Sequence, residues 1–465
     1  MSKKIVLAVA LVGICALSLL LINCGSSSSR ASGLLYVLTQ ASTGMGNNVS
    51  SFAIDDNNGN LSLINSNAST CPTASTATNP EPCGEPLDIL LDPTGTVAFV
   101  LNQGVPCADI VNGVAQCQAS DVIAPSIYAY AVNSGGSLGA PTLAAPLPDA
   151  SIATLVPEDT AIAMKLDAGG NFLYVITGGN QSLTPPLAPQ LFVFSAKPGA
   201  PTLTPVANTV SALTKIPTAL SAITFPTASV PCGAAASQDF LYVTNNHDLS
   251  VQHYDSTVSE YCVNSSGTLI DLNPQPQNPP YITQGDPLSV QAVNTSPAGQ
   301  SNVGGVFVYV GSQPGNNAGT LGVFQMCTAV NSNGSPCNSQ DVEQAKLIPV
   351  GTKPITTGQN PVAMVVDPTD SFLYVVCYVA NQVWAYGITT TTGELTVSNP
   401  PNEATGLSPV AIALHPSVNN TGQFLYTSNS AANNITGLTL NTTTGAMSNP
   451  ITVVAPETPS GMAAR

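Results

Sequence analysis

Residues 361–395 read PVAMVVDPTDSFLYVVCYVANQVWAYGITTTTGEL. Three short apolar runs, Pro361–Val366, Phe372–Val375 and Val383–Tyr386, are built from β-branched and aromatic residues and are too short for helices. The turn pair Asp367-Pro368 separates the first two, and Thr392-Gly393 leads into a fourth short run at Glu394-Leu395. The stretch therefore predicts four antiparallel strands joined by tight turns. Gly393 marks the last turn, and a two-residue hairpin requiring positive φ is expected there.

The second run recurs along the chain as Leu34-Leu35-Tyr36-Val37, Val97-Ala98-Phe99-Val100, Phe172-Leu173-Tyr174-Val175, Phe240-Leu241-Tyr242-Val243, Phe307-Val308-Tyr309-Val310, Phe372-Leu373-Tyr374-Val375 and Phe424-Leu425-Tyr426-Thr427, seven copies in all. A preceding strand is clearest at Pro86–Asp92, Pro361–Asp367 and Pro409–His415, with looser copies at Ala161–Asp167, near Leu220–Pro226 and at Pro287–Val293. A third strand follows, as at Ile127–Tyr130, and a glycine turn introduces a fourth, as at Gly59-Asn60-Leu61, Gly267-Thr268-Leu269 and Thr444-Gly445-Ala446-Met447. Seven such units predict an all-β fold, a seven-bladed β-propeller of four-stranded antiparallel blades. The core strand at Leu35 has no preceding partner, and the tail Pro459–Arg465 matches a partner strand with no core after it. Pairing of these N- and C-terminal strands is expected to close the ring and remove exposed edges. Residues 34–465 then form one domain of about 62 residues per blade, above the 40 to 50 common in propeller repeats. The excess lies in polar, Pro-rich loops, none long enough to fold alone as the rival two-domain reading requires.

Composition narrows the partners. Of 465 residues 43% are hydrophobic and only 7% charged, and 38 Gly and 39 Pro exclude a coiled coil or helical bundle. The net charge of -16, from 25 acidic and 9 basic residues, leaves no cationic face for a phosphate backbone, so nucleic acid is excluded as a partner.

Lys3 and Lys4 precede an apolar run from Ile5 to Ile22, the pattern of a bacterial export signal. The sequence Leu21-Ile22-Asn23-Cys24-Gly25, passing into Ser26–Ser29, resembles a lipobox followed by a flexible tether. Asn23 departs from the Gly, Ala or Ser usual before the cysteine. The resemblance implies a signal peptide over 1–23, a tether over 24–33, lipidation at Cys24 and attachment to a membrane through the lipid. The alternative is an uncleaved anchor, since 18 apolar residues just span a bilayer. Both place the domain outside the cytoplasm, in the periplasm or on the cell surface. Cysteine usage agrees: eight fall into close pairs within polar insertions, and disulfides are expected between Cys71 and Cys83, Cys107 and Cys117, Cys232 and Cys262, and Cys327 and Cys337. Zinc is the rival, without CxxC spacing to support it. Cys377, in a Val-rich strand, is left as a buried free thiol.

The FLYV-type cores, Asp-Pro turns and Thr-Gly hairpins resemble the lactonase family of seven-bladed propellers, related to YVTN-repeat surface proteins, over residues 34–465. That resemblance implies members such as 6-phosphogluconolactonases and carboxymuconate-cyclising enzymes, with a site at the mouth of the central channel. Lactone hydrolysis needs a group to move protons and a donor for the developing oxyanion, and a phosphorylated substrate also wants arginine. The only arginines are Arg30 and Arg465. His415 replaces the Asp of an Asp-Pro turn and reads as structural, and His253 is expected on a third strand, Val251–Tyr254. His247, with Asp248 beside it, is the one candidate catalytic pair, on a loop after a core strand. Glu85, Glu158, Asp159 and Asp286 precede innermost strands and are candidate Ca²⁺ ligands, though no Asp-x-Asp-x-Asp loop backs them. Asn102, Gln103, Asn180, Asn245, Gln313, Asn316, Gln359 and Asn429 suggest an amide-rich mouth suited to sugars or peptide backbone; Glu158, Asp159, Asp286, Asn245, Gln359 and Asn429 are the candidate ligand-binding residues. Lys165 and Gln291 share a strand register that is apolar elsewhere and are candidate channel-lining groups. Two classes of function follow: a noncatalytic binding or scaffolding module of the envelope, with a protein or carbohydrate partner and no cofactor, or a lactonase-type hydrolase with an atypical site.

Overall fold

A computed structural model describes residues 33–40, 47–70, 84–104, 110–111, 114–115, 124–147, 160–180, 187–206, 211–213, 215–232, 235–248, 256–272, 281–282, 285–295, 305–315, 317–327, 345–351, 354–415, 423–455 and 458–465, with backbone alone at 67, 110–111, 114–115, 146, 211–212, 226–231, 235–238, 247–248 and 281–282. The proposed signal peptide, the tether with Cys24, and the pairs Cys71–Cys83 and Cys107–Cys117 lie outside the described residues.

Seven antiparallel sheets stand in a ring, each with four principal strands. From the axis outward, the second blade is Pro86–Leu91, Val97–Asn102, Ser126–Ala131 and Thr142–Pro146. The innermost strands of the third to seventh blades are Ala161–Leu166, Lys215–Cys232, Asp286–Asn294, Pro361–Val366 and Pro409–His415. The first blade takes its innermost strand from the far end of the chain: Thr458–Ala464 pairs antiparallel with Gly33–Gln40, placing Tyr36 opposite Ala463 and Val37 opposite Met462. Leu34 and Arg465 exchange backbone hydrogen bonds of 3.1 and 3.0 Å at the end of that ladder. The expected closure is the observed one.

The core is divided among the seams. Seven apolar clusters each draw on two neighbouring blades, one per seam, including a cluster of Leu35, Val37, Phe52, Tyr426 and Ile435 that joins the first blade to the seventh. No blade buries both faces alone, so the repeats are stable only as a ring.

The FLYV-type core is the part that holds a seam together. In the sixth blade Tyr374 donates its hydroxyl to the carbonyl of Gly445 in the seventh at 3.2 Å, while Phe372 lies where a Cβ on that glycine would stand, 2.2 Å away. The same latch joins Tyr309 to Gly393 (3.1 Å), Tyr426 to Gly59 (2.8 Å) and Tyr36 to Gly136 (2.9 Å). These glycines have φ between 69 and 85°. Only glycine adopts that conformation without strain and also leaves room for the packed side chain, a phenylalanine ring in three cases and Leu34 at Gly136. The hairpins differ from the expected two-residue form. Asn441 closes onto Ala446 and Thr389 onto Glu394, giving four-residue loops, while Asn133 closes onto Ser137 and Asn264 onto Thr268, giving three-residue ones. Left-handed glycine serves all these loop lengths, so its presence alone does not set the length.

The Asp-Pro turns act as caps between the first two strands of a blade. Asp367 Oδ1 accepts from the backbone N–H of Ser371 (2.8 Å) and Phe372 (2.7 Å), and Asp92 and Asp167 do the same for their blades. His415 at this position is buried, with Nε2 3.2 Å from Asp56 Oδ1 of the first blade, in keeping with its structural reading. Cys232 and Cys262 form a disulfide as expected. Cys327 is disulfide-bonded too, its expected partner Cys337 lying outside the described residues. Cys377 is a buried free thiol, its pKa pushed up to about 11 by burial.

Candidate functional site in the axial channel

The fourth blade departs from expectation where His247 was placed on a loop. Its second strand runs Ala235–Asp248, so His247 and Asp248 belong to the ladder, opposite Ile216 and Lys215 of an innermost strand 18 residues long. Strand pairing that persists past the core motif leaves no loop at that point. The third strand of this blade is Thr257–Asn264 rather than 251–254, and His253 lies outside the described residues.

The amides expected at the mouth largely turn into the blades. Asn245 is buried and its Nδ2 donates to Ser259 Oγ (2.9 Å) and to the Val243 carbonyl (3.3 Å). Asn429, also buried, accepts from the Thr436 hydroxyl (2.8 Å) and donates to Thr427 Oγ1 (3.1 Å). Gln313 Nε2 donates to the carbonyls of Gly315 and Asn317, and its Oε1 accepts from the N–H of Asn360 (2.7 Å). Buried amides must be satisfied, and these tie strands together or brace loops. Gln359 is half-buried just before the innermost strand of the sixth blade. Glu85 is exposed and accepts from Gln40 Nε2 at 3.3 Å, and Asp286 opens the innermost strand of the fifth blade opposite Gln313. Glu158 and Asp159 lie outside the described residues, and among the described residues no three His, Cys, Asp or Glu side chains gather to hold a metal.

The channel itself is different. A cavity of about 290 Å³ is lined by all seven innermost strands, and Asp88, Lys165, Thr218, Ser289 and Gln291 bring polar groups to it. Lys165 and Gln291 thus line the channel as their register implied, each opposite the tyrosine of its core strand. Asp88 is the residue that sequence reasoning missed. Its register is held by Ala163, Ala219, Ser289, Ala363 and Ala411 in five other blades, and a carboxylate in a row of small residues was the available signal.

Asp88 leans toward the neighbouring blade. Its Oδ2 accepts from the N–H of Met164 at 3.4 Å, one residue before Lys165, and its Oδ1 accepts from the N–H of Ile89 at 2.9 Å. Although the side chain opens onto the channel, protein encloses it, and that burial raises its pKa against the lowering effects of the Lys165 charge and the two N–H groups. Lys165 makes no hydrogen bond or ion pair among the described residues, so acid and ammonium face one cavity without closing on each other. The remaining polar lining is occupied: Thr218 donates to Thr244 O (3.2 Å), Ser289 to Pro361 O (2.6 Å), and Gln291 Nε2 to Ala292 O (2.9 Å).

Gln291 also lines a second cavity, of about 440 Å³, toward the Asp-Pro turns. Asp367 and Asp370 border it, and burial, reinforced by the charge of Asp367, pushes Asp370 up to about 6. Thr224 of this lining donates to Asp239 (2.7 Å), which also receives the Tyr174 hydroxyl (2.6 Å). This end carries carboxylates and, among its lining residues, no cation.

No protein-family profile matches the chain, and no curated protein matches it. Solved structures do. A Bacteroides fragilis protein provisionally named a 6-phosphogluconolactonase is similar with a TM-score of 0.55 at 12% identity, covering 94% of this chain and 99% of its own. A Lactobacillus plantarum protein gives 0.55 at 13% identity, covering 93% and 99%. The periplasmic gluconolactonase of Pseudomonas aeruginosa gives 0.52 at 14% identity, covering 92% and 98%. At these identities the likeness shows the propeller fold, and chemistry must be argued from the residues present.

Proposed function

We propose that this chain is a noncatalytic binding propeller of the bacterial envelope, tethered through Cys24 and presenting a rigid surface to a carbohydrate or protein partner. The observation that carries the reading is the use of Asn245, Gln313 and Asn429 as internal braces, Asn245 between two strands and the others at strand ends and loops. These amides, expected as ligand contacts at the mouth, are committed to holding shape, which favours a preformed contact surface over a reacting one. The Cys232–Cys262 disulfide supports an oxidising compartment, and the periplasmic gluconolactonase among the similar structures is consistent with one. The test is a panel of lactones offered to the purified protein. Hydrolysis at the uncatalysed rate is expected.

A second reading, lactone hydrolysis, is favoured by one observation: Asp88 and Lys165 supply an acid–base group and a cationic donor in the same cavity, the pair that ester-type hydrolysis needs. Turnover abolished by Asp88→Asn or His247→Ala would replace the first reading with this one. Radiolabelled palmitate incorporated into the wild type and lost in Cys24→Ser tests the anchor.

A further inference from the structure

We propose that the axial channel is a binding site for a small neutral polyhydroxylated molecule, of monosaccharide size and chemistry, bridged between Asp88 and Lys165. The inference rests on the binding reading above and names its ligand.

Hydrogen-bond capacity selects these two groups. A carboxylate offers about four acceptor sites, of which the N–H groups of Met164 and Ile89 take two, and an ammonium offers three donors, none used within the described residues. Thr218, Ser289 and Gln291 spend donors on backbone carbonyls, which leaves the acid and the ammonium as the groups with most to give. A hydroxyl-bearing ring satisfies both ends at once, donating to Asp88 and accepting from Lys165 through ring or hydroxyl oxygen.

Charge then selects against ions. When Asp88 is ionised the two groups sum to no net charge, so an anion on Lys165 would lie against the Asp88 carboxylate, and a cation would meet the converse difficulty. Enclosed like charges are costly. The acidic second cavity repels anions further, and the net charge of -16 adds to this at long range. Size agrees: about 290 Å³ lies at the small end of the range for ligand pockets. The site also stands on strands rather than loops, which fixes its geometry. The fold does not require the pair, because five sister strands carry alanine or serine in the Asp88 register and Val365 stands in that of Lys165.

Calorimetric titration of the full chain in detergent with D-glucose, D-galactose, D-mannose and D-glucose 6-phosphate tests this. Saturable binding of at least one hexose is expected, with the 6-phosphate weaker. Asp88→Ala, which installs the residue of the sister blades, and Lys165→Met are each expected to weaken hexose binding by about tenfold or more, the loss that follows from removing a hydrogen bond to a charged group. Near-unchanged melting of both variants would show that the ring is intact; if Lys165→Met melts early, Lys165→Gln serves instead. Failure of every hexose to saturate, tighter binding of the 6-phosphate, or wild-type affinity in the variants would overturn the proposal. Lactone turnover would end the noncatalytic reading without altering these affinities, whereas silence toward hexoses with an intact ring ends the channel site alone.

Discussion

The seam between the sixth and seventh blades and the seam between the second and third are built to the same plan and filled differently. At the first, Tyr374 and Phe372 clasp Gly445 from above and across. At the second, the tyrosine position is Phe99, which has no hydroxyl to donate, and the corresponding hairpin glycine, Gly199, has nothing nearer its Cβ position than Thr96 Oγ1 at 3.7 Å. Its N–H is taken instead by the Asp92 cap at 2.9 Å. This seam, packed but without the glycine latch, is the one that Asp88 and Lys165 straddle. A repeat keeps its motif where the motif does only packing, and departs from it beside groups with another task. Two further seams are intermediate: Tyr174, between the third and fourth blades, donates to Asp239, and Tyr242, between the fourth and fifth, lies 3.0 Å from the Met326 sulfur where a disulfide-bonded insertion replaces the glycine hairpin.

The ring is the precondition of both seams, so the largest effect comes from opening it. Deleting residues 459–465 removes the innermost strand of the first blade and bares the Gly33–Gln40 edge. Loss of a cooperative thermal transition and aggregation on size-exclusion chromatography are expected, and a deletion melting like the full chain would contradict the closure. Next in size is the contrast between seams. Gly445→Ala places a methyl group 2.2 Å from Phe372 at a φ of 69°, and a cost of about 3 kcal/mol is expected from overpacking with backbone strain. Gly199→Ala, at a φ of 78° but in open space, should cost about 1 kcal/mol. Equal costs in urea unfolding would dissolve the distinction between a clasped and an unclasped seam.

The smallest effect concerns acidity. The pKa of Asp370 is raised to about 6 in the folded chain, above its ordinary value of 3.8, so the unfolded state holds the proton less tightly. Its contribution to stability is therefore fully present below pH 3.8 and lost as pH rises through about 6. Asp370→Asn should remove that part of the melting-temperature profile while keeping the backbone, since asparagine tolerates the observed φ of 55°. A profile unchanged by the substitution would mean that the carboxyl is not held as described.

The fold was legible because the residues that make it are local and repeated. Tyr374, Asp367 and Gly393 each mark a strand, a cap or a hairpin, and their spacing recurs. Closure was legible because the tail matches the strand missing from the head. Lys165 and Gln291 could be found by register, and the same comparison applied two residues earlier would have found Asp88 opposite the alanines. Direction was not legible. Nothing in the string tells whether Asn245 or Gln313 faces solvent or folds back to brace a turn, because either choice satisfies the amide. Strand length was not legible either: no proline or glycine marks the end of pairing near His247, and the ladder runs through it.

The strand that completes the first blade follows every other described strand in the chain, so it is synthesised after them. Until it arrives, the earliest core strand has a bare flank and the seam between the first and seventh blades lacks Met462 and Ala464. A nascent chain therefore cannot close its ring as it emerges, blade by blade. It must remain soluble as an unfinished arc until its final turn is out, and a low density of charge makes that interval the most hazardous in the life of the molecule.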